Sequence, residues 1–165
     1  MKTAFLASLV LGNLLFPTET DPETLTFPII GISPSDVINQ YESPLSAYGA
    51  GHRGIDLPVE LGTEVISPAS GKVFFVGQVG YRNTITIEFG SSMKATIEPV
   101  CSELSVGSFV AMGDPIGTVC EPEPYYKWHC EITCLHFGTR TALGYFSPLA
   151  IIGGLPTSRL VPLGT

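Results

Sequence analysis

The chain has 165 residues and a formal net charge of −7, from 8 Lys and Arg against 15 Asp and Glu. It contains no cluster of Lys or Arg, which excludes a nucleic-acid partner, because phosphate neutralisation needs grouped cations. With 18 Gly and 14 Pro, about a fifth of the chain turns or breaks the backbone, so short strands joined by turns are expected and long helices are not.

In chain order, Lys2 and the apolar run Ala4 to Phe16 read as an export signal. The run is too short to span a bilayer as a helix, which takes ~20 residues. No Ala-x-Ala cleavage site follows, and Pro17 to Pro22 reads as an exposed linker. Thr24 to Ser46 mixes Pro28, Pro34 and Pro44 with Phe27, Ile29, Ile30, Val37, Ile38 and Tyr41, as an extended arm leading into the domain does. Strand signals then come quickly. Val65-Ile66 and Lys72 to Val76 are separated by the turn Pro68 to Gly71. Asn83 to Phe89 alternates Thr84, Thr86 and Glu88 with Ile85, Ile87 and Phe89, the period of a half-buried strand. Gly90-Ser91-Ser92 turns the chain into Met93 to Val100. Phe109-Val110 and Ile116 to Val119 bracket Gly113-Asp114, which predicts a further hairpin. A last strand is expected over Cys130 to Gly138, with Leu135 and Phe137 on one face and Cys134 and His136 on the other. Pro148 to Ile152 suits one helical turn closed by Gly153-Gly154. The expected division is a leader and linker over 1–23, an arm over 24–47, one β domain over 48–154 and a loose tail over 155–165.

Two stretches carry chemistry. His52-Arg53-Gly54-Ile55-Asp56 offers an imidazole and a carboxylate, and Cys134-Leu135-His136-Phe137 offers a second imidazole. Catalytic zinc takes three such ligands and keeps a fourth position for water. His52, Asp56 and His136 are therefore the candidate ligands, and Gly54 lets the backbone bend so that the first two converge. Cys101, Cys120, Cys130 and Cys134 suit an oxidising compartment and allow three pairings. The favoured pairing is Cys130 with Cys134 across a tight loop and Cys101 with Cys120. A structural zinc site would use paired C-x-x-C knuckles, which these spacings lack.

The surrounding glycine pattern adds a family. Ala50 to Leu57 is followed by Leu61-Gly62-Thr63-Glu64-Val65-Ile66-Ser67-Pro68, then Ser70-Gly71-Lys72-Val73, Val106-Gly107-Ser108-Phe109-Val110 and Gly113-Asp114-Pro115-Ile116-Gly117. This order resembles the lysostaphin-type zinc endopeptidases of bacterial cell walls, from roughly Tyr48 to Gly153. The resemblance implies an all-β fold: an antiparallel, β-sandwich-like barrel of the duplicated hybrid motif type with short hairpins. It also implies Zn2+ held by His52, Asp56 and His136, hydrolysis of peptidoglycan peptides, and a secreted or envelope-associated protein.

Two positions depart from the family pattern. Cys134 stands where the family has the first histidine of His-Leu-His. Pro99, in Ile97-Glu98-Pro99-Val100, stands where it has the histidine of Tyr-x-His-Leu. Those two histidines steady the attacking water and the oxyanion in typical members. One branch of the family carries a similar Cys-Leu-His ending, a nearby second cysteine and Glu-Pro, so the pattern reads as a lineage variant. His129 and Glu98 are the candidate replacements, with strand alternation turning Glu98 to the face opposite Pro99. The rival expectation is a zinc-bearing but catalytically silent wall-binding or hydrolase-regulating module. The Val106 to Val119 segment alone also suggests a lipoyl-type hammerhead, but Lys72 and Lys94 sit inside strands and no lysine occupies a hairpin tip.

Overall fold

Alternation is the organising rule of the structure, a computed structural model that describes residues 24–46, 48–121 and 130–153. The leader, His129 and the tail lie outside the described residues. The strands are β1 (Gly54–Pro58), β2 (Glu64–Ile66), β3 (Gly71–Val79), β4 (Arg82–Phe89), β5 (Met93–Glu98), β6 (Val100–Cys101), β7 (Phe109–Val110), β8 (Pro115–Val119), β9 (Cys134–Thr141) and β10 (Gly144–Phe146). In β4, Ile85, Ile87 and Phe89 point into the core while Arg82, Thr84, Thr86 and Glu88 share the other face.

All pairings between these strands are antiparallel. A seven-stranded sheet runs β1-β9-β5-β4-β3-β7, with β10 also on β9, and a three-stranded sheet runs β2-β8-β6. Ile55, Leu57, Ile85, Ile97, Leu135 and Phe137 from the large sheet and Val65, Val100, Ile116 and Val119 from the small one belong to a single apolar core. The all-β, antiparallel expectation holds. Both favoured disulfides, Cys101–Cys120 and Cys130–Cys134, are present. Among the described residues no helix is long and apolar enough to cross a membrane.

Three local expectations change. Gly113-Asp114 does not close a hairpin: β7 pairs with β3 and β8 with β2 and β6, so the turn carries the chain from one sheet to the other. The reason is that the turn is held from outside. Gly113 N–H donates to the Ser67 carbonyl and Ser67 N–H to the Asp114 carbonyl, at 2.9 and 2.8 Å. The last strand begins at Cys134, because the disulfide to Cys130 loops the chain just before it. The helical turn near the end is a 3-10 turn over Pro148–Ala150.

The arm adds to the sheet edge. Asn39 bridges to Asp56 and Glu42 to His52, each antiparallel, so residues of the arm lie against β1 and the segment before it. Leu25 bridges to Ile152 near the other end of the described chain.

Phe137 is fully buried in the middle of β9. Phe137→Ala is expected to cost about 3–5 kcal/mol through lost burial and a residual cavity, measured as a lowered midpoint of chemical denaturation at unchanged slope.

Candidate metal centre

Register brings the predicted groups together. Asp56 of β1 lies directly opposite His136 of β9, and Glu98 of β5 lies opposite His136 on its other side. Directly opposed residues share a face, so all three project from the polar face of the large sheet. His52 joins them from the turn ahead of β1. Its Nε2 lies 3.1 Å from Asp56 Oδ1 and 3.1 Å from His136 Nδ1, and His136 Nδ1 lies 2.9 Å from Asp56 Oδ1. The two motifs, eighty residues apart in sequence, thus stand on and beside adjacent strands.

That near-equilateral triangle fits a small cation. Tetrahedral ligands held at 2.0–2.1 Å are separated by about 3.3 Å, close to the separations present. The donor set also fits, with two imidazole nitrogens and a carboxylate oxygen. The tautomer is arranged in advance: His52 Nδ1 lies 2.7 Å from the Gln40 carbonyl, which can only accept, so the proton sits on Nδ1 and leaves Nε2 for a ligand role. Asp56 is fully buried, and its second oxygen accepts from Asn39 Nδ2 at 2.9 Å.

Two glycines make room for the His136 ring. Gly54 and Gly138 face each other across β1 and β9. A side chain on Gly54 would meet the Phe137 carbonyl and come within 2.7 Å of His136 Nε2, and one on Gly138 would come within 3.4 Å of the same atom. The glycine between His52 and Asp56 therefore serves close approach; it is the first residue of β1 and has no positive φ, so the expected backbone bend does not lie there.

Glu98 is 7% exposed and has one partner at each oxygen, with Arg82 Nη1 at 2.7 Å from Oε1 and the Thr84 hydroxyl donating to Oε2 at 2.8 Å. Pro99 falls in the break between β5 and β6, after a cis peptide bond, while Glu98 stands opposite His136 and faces the groove. Cys134 is locked in its disulfide, whose Cys130 sulfur lies 3.5 Å from Asp56 Oδ2. His52, Glu98 and His136 border a groove of about 810 Å3 that is also lined by Thr84, Thr86, Phe74, Arg53 and Tyr145. Asn39 and Gln40 were not singled out from the sequence. Gln40 acts through its backbone carbonyl, which leaves no residue signature. Thr84 and Thr86, which line the groove, were legible as a period of two without their role, and Arg82 was not singled out.

Residues 50–148 match the model of Peptidase family M23. An uncharacterized protein of Mycobacterium tuberculosis, Rv2891, is 27% identical over 154 residues, covering 90% of this chain and 59% of that protein, so the chain spans under two thirds of the length of that relative. Among solved structures, a zinc containing peptidase from Vibrio cholerae superposes with a TM-score of 0.61 at 19% identity, over 81% of this chain and 41% of that one. The catalytic domain of the antimicrobial peptidase lysostaphin from Staphylococcus simulans superposes with a TM-score of 0.54 at 22% identity, over 67% and 86% of the two chains. At these identities the superpositions establish the fold.

Asn39→Ala should weaken metal binding about 10- to 100-fold, the usual cost of removing a group that orients a ligand, as read by competition with a chromogenic chelator. The pH dependence follows from His52, whose pKa is raised, first by its hydrogen bond to Asp56, against an opposing effect of burial, with the Gln40 carbonyl and Glu42 adding to the rise. In metal-free protein this contact contributes stability that is complete below the ordinary value of 6.5 and is lost as pH rises through the raised one. A ligating ring must be neutral, so metal affinity should climb over the interval in which the melting temperature of chelator-treated protein falls.

Proposed function

The chain belongs to peptidase family M23, and from that premise we propose that it is a zinc-dependent metalloendopeptidase acting on the peptides of bacterial cell-wall peptidoglycan, outside the cytoplasm. The observation that carries this reading is the convergence of His52 Nε2, Asp56 Oδ1 and His136 Nδ1 within 3.1 Å of one another on the border of an open groove. When bound there, zinc supplies a Lewis acid and an activated water near neutral pH.

The protein's own residues do the rest. Asn39 and the Gln40 carbonyl hold Asp56 and His52 in their ligand orientations. The groove binds the peptide in extended form along the sheet face. His129 is the proposed acid/base group in place of the family's replaced histidines. Glu98, beside His136 and also proposed for that role, keeps acceptor capacity beyond its bonds to Arg82 and Thr84, since an ionised carboxylate has about four lone-pair sites. Its pairing with Arg82 gives it a second task, holding that guanidinium at the groove.

A silent wall-binding or hydrolase-regulating module is the second reading. It is favoured by the loss of both family histidines, one to Pro99 and one to a Cys134 that its disulfide removes from chemistry. Retention of the complete ligand triad weighs against it.

His136→Ala is expected to abolish both zinc content and release of peptidoglycan fragments. His129→Ala should keep the zinc and slow turnover by about 10²- to 10⁴-fold, the general acid/base contribution. Stoichiometric zinc in wild-type protein without release from any wall type would establish the silent module. An unchanged rate in His129→Ala would leave Glu98 as the proton-handling candidate.

A further inference from the structure

The charges of this acidic chain are sorted by face. Arg53, Lys72, Arg82, Lys94 and Arg140 are the cations among the described residues, and all of them lie on the groove face of the large sheet or at its border. Among the described residues the carboxylates on that face are Asp56, Glu88 and Glu98, with Glu42 at its border beside His52. Glu88 is bound by Lys94 at 3.0 Å and Glu98 by Arg82 at 2.7 Å, and Asp56 belongs to the metal triad.

One placement on this face is unfavourable as it stands. Lys94 and Arg140 are directly opposite each other across β5 and β9, and like charges in that relation repel. Lys94 leans away, onto Glu88 and over the Phe74 ring at 4.2 Å from its centre. Arg140 is exposed and forms no ion pair with a carboxylate of the described residues. Tyr145 lies opposite Arg140 on its other side, and the Arg53 guanidinium stands over the Tyr145 ring at 5.5 Å. Arg53, Arg140 and Tyr145 thus line one end of the groove with donors and positive charge. An anion bound there would relieve the Lys94–Arg140 repulsion. A carboxylate is the anion that a guanidinium fork matches in shape.

Resting on the peptidase reading, we infer that this end of the groove is a subsite for a carboxylate of the peptide substrate. The chain then selects stem peptides bearing free carboxylates over uncharged cross-bridges. Arg140 lies four residues along β9 from His136, about 14 Å, the reach of about four extended residues of substrate. The recognised carboxylate therefore belongs to a residue a few positions from the cleaved bond.

The test uses the zinc-loaded full chain with two probes: a cross-linked stem-peptide dimer with free α-carboxylates, and the same dimer with those carboxylates amidated. Wild type should favour the free acid by roughly tenfold in kcat/KM, the scale of one charge-assisted hydrogen bond, with the preference shrinking as salt is raised. Arg140→Gln should bring the two probes to similar values, chiefly by raising KM for the free acid, at unchanged zinc content. Equal rates on both probes in wild type, or a preference that survives in Arg140→Gln, would overturn the subsite and leave the peptidase reading standing. If neither dimer is cleaved, the peptidase reading is left to the test on whole walls given above, and calorimetric binding of the same probes decides the subsite. Tighter binding of the free acid by wild type but not by Arg140→Gln supports it, and equal binding overturns it.

Discussion

The pairing of β1 with β9 is the constraint on which the site depends. It sets Asp56 opposite His136, and a slip of one residue would send one of them into the core and bring an apolar neighbour to the groove. Slippage is opposed on both faces. Ile55, Leu57, Leu135 and Phe137 are fully buried on the inner side, so each alternative register would expose apolar surface. On the outer side, Gly54 and Gly138 are the opposed pair that leaves space for the His136 ring. The hydrophobic pattern that builds the sheet is therefore also what fixes the geometry of its polar face.

That polar face is organised in rows. Asp56, His136 and Glu98 follow one another across three adjacent strands, and Thr84 extends the row through its hydrogen bond to Glu98. The row divides the labour between its ends. At the β1 end the carboxylate is directed at two imidazoles, and at the β4 end it is directed at a guanidinium. Burying Glu98 without Arg82 would leave a carboxylate out of water with one hydroxyl for company, at a cost of several kcal/mol. The ion pair explains how an acidic residue occupies this position beneath the groove.

The sequence carried the candidate triad because donor chemistry and spacing are local properties: two imidazoles and a carboxylate beside glycines are visible as residues. Strand β4 was legible for the same reason, through the alternation of Ile85 and Ile87 with Thr84 and Thr86, and β5 through the Gly90-Ser91-Ser92 turn that precedes it. The Gly113-Asp114 turn misled because hairpin signals report only a tight reversal, and the partners of the flanking strands are decided by contacts elsewhere in the chain. The help that Asn39 and Gln40 give to the site was hidden in the arm, one of them acting through a carbonyl common to every residue. The opposition of Lys94 and Arg140 was likewise out of reach, since it exists only once β5 and β9 are in register.

Asp56 and His136 touch although 80 positions separate them, and His136 stands on the last long strand of the described residues. Contacts of such long range form only after the intervening loop has closed, which makes them slow relative to local hairpins. The His52–Asp56 half of the triad, four positions apart, is available to a partly made or partly folded chain, but two ligands grip an ion far more weakly than three. The short turns that join β3, β4 and β5 favour their pairing ahead of the long-range docking of β9 between β5 and β1, and His136 is placed with β9. On the metal-binding reading proposed above, the complete triad exists only when β9 is paired with β1, so tight binding of an ion would coincide with completion of this sheet.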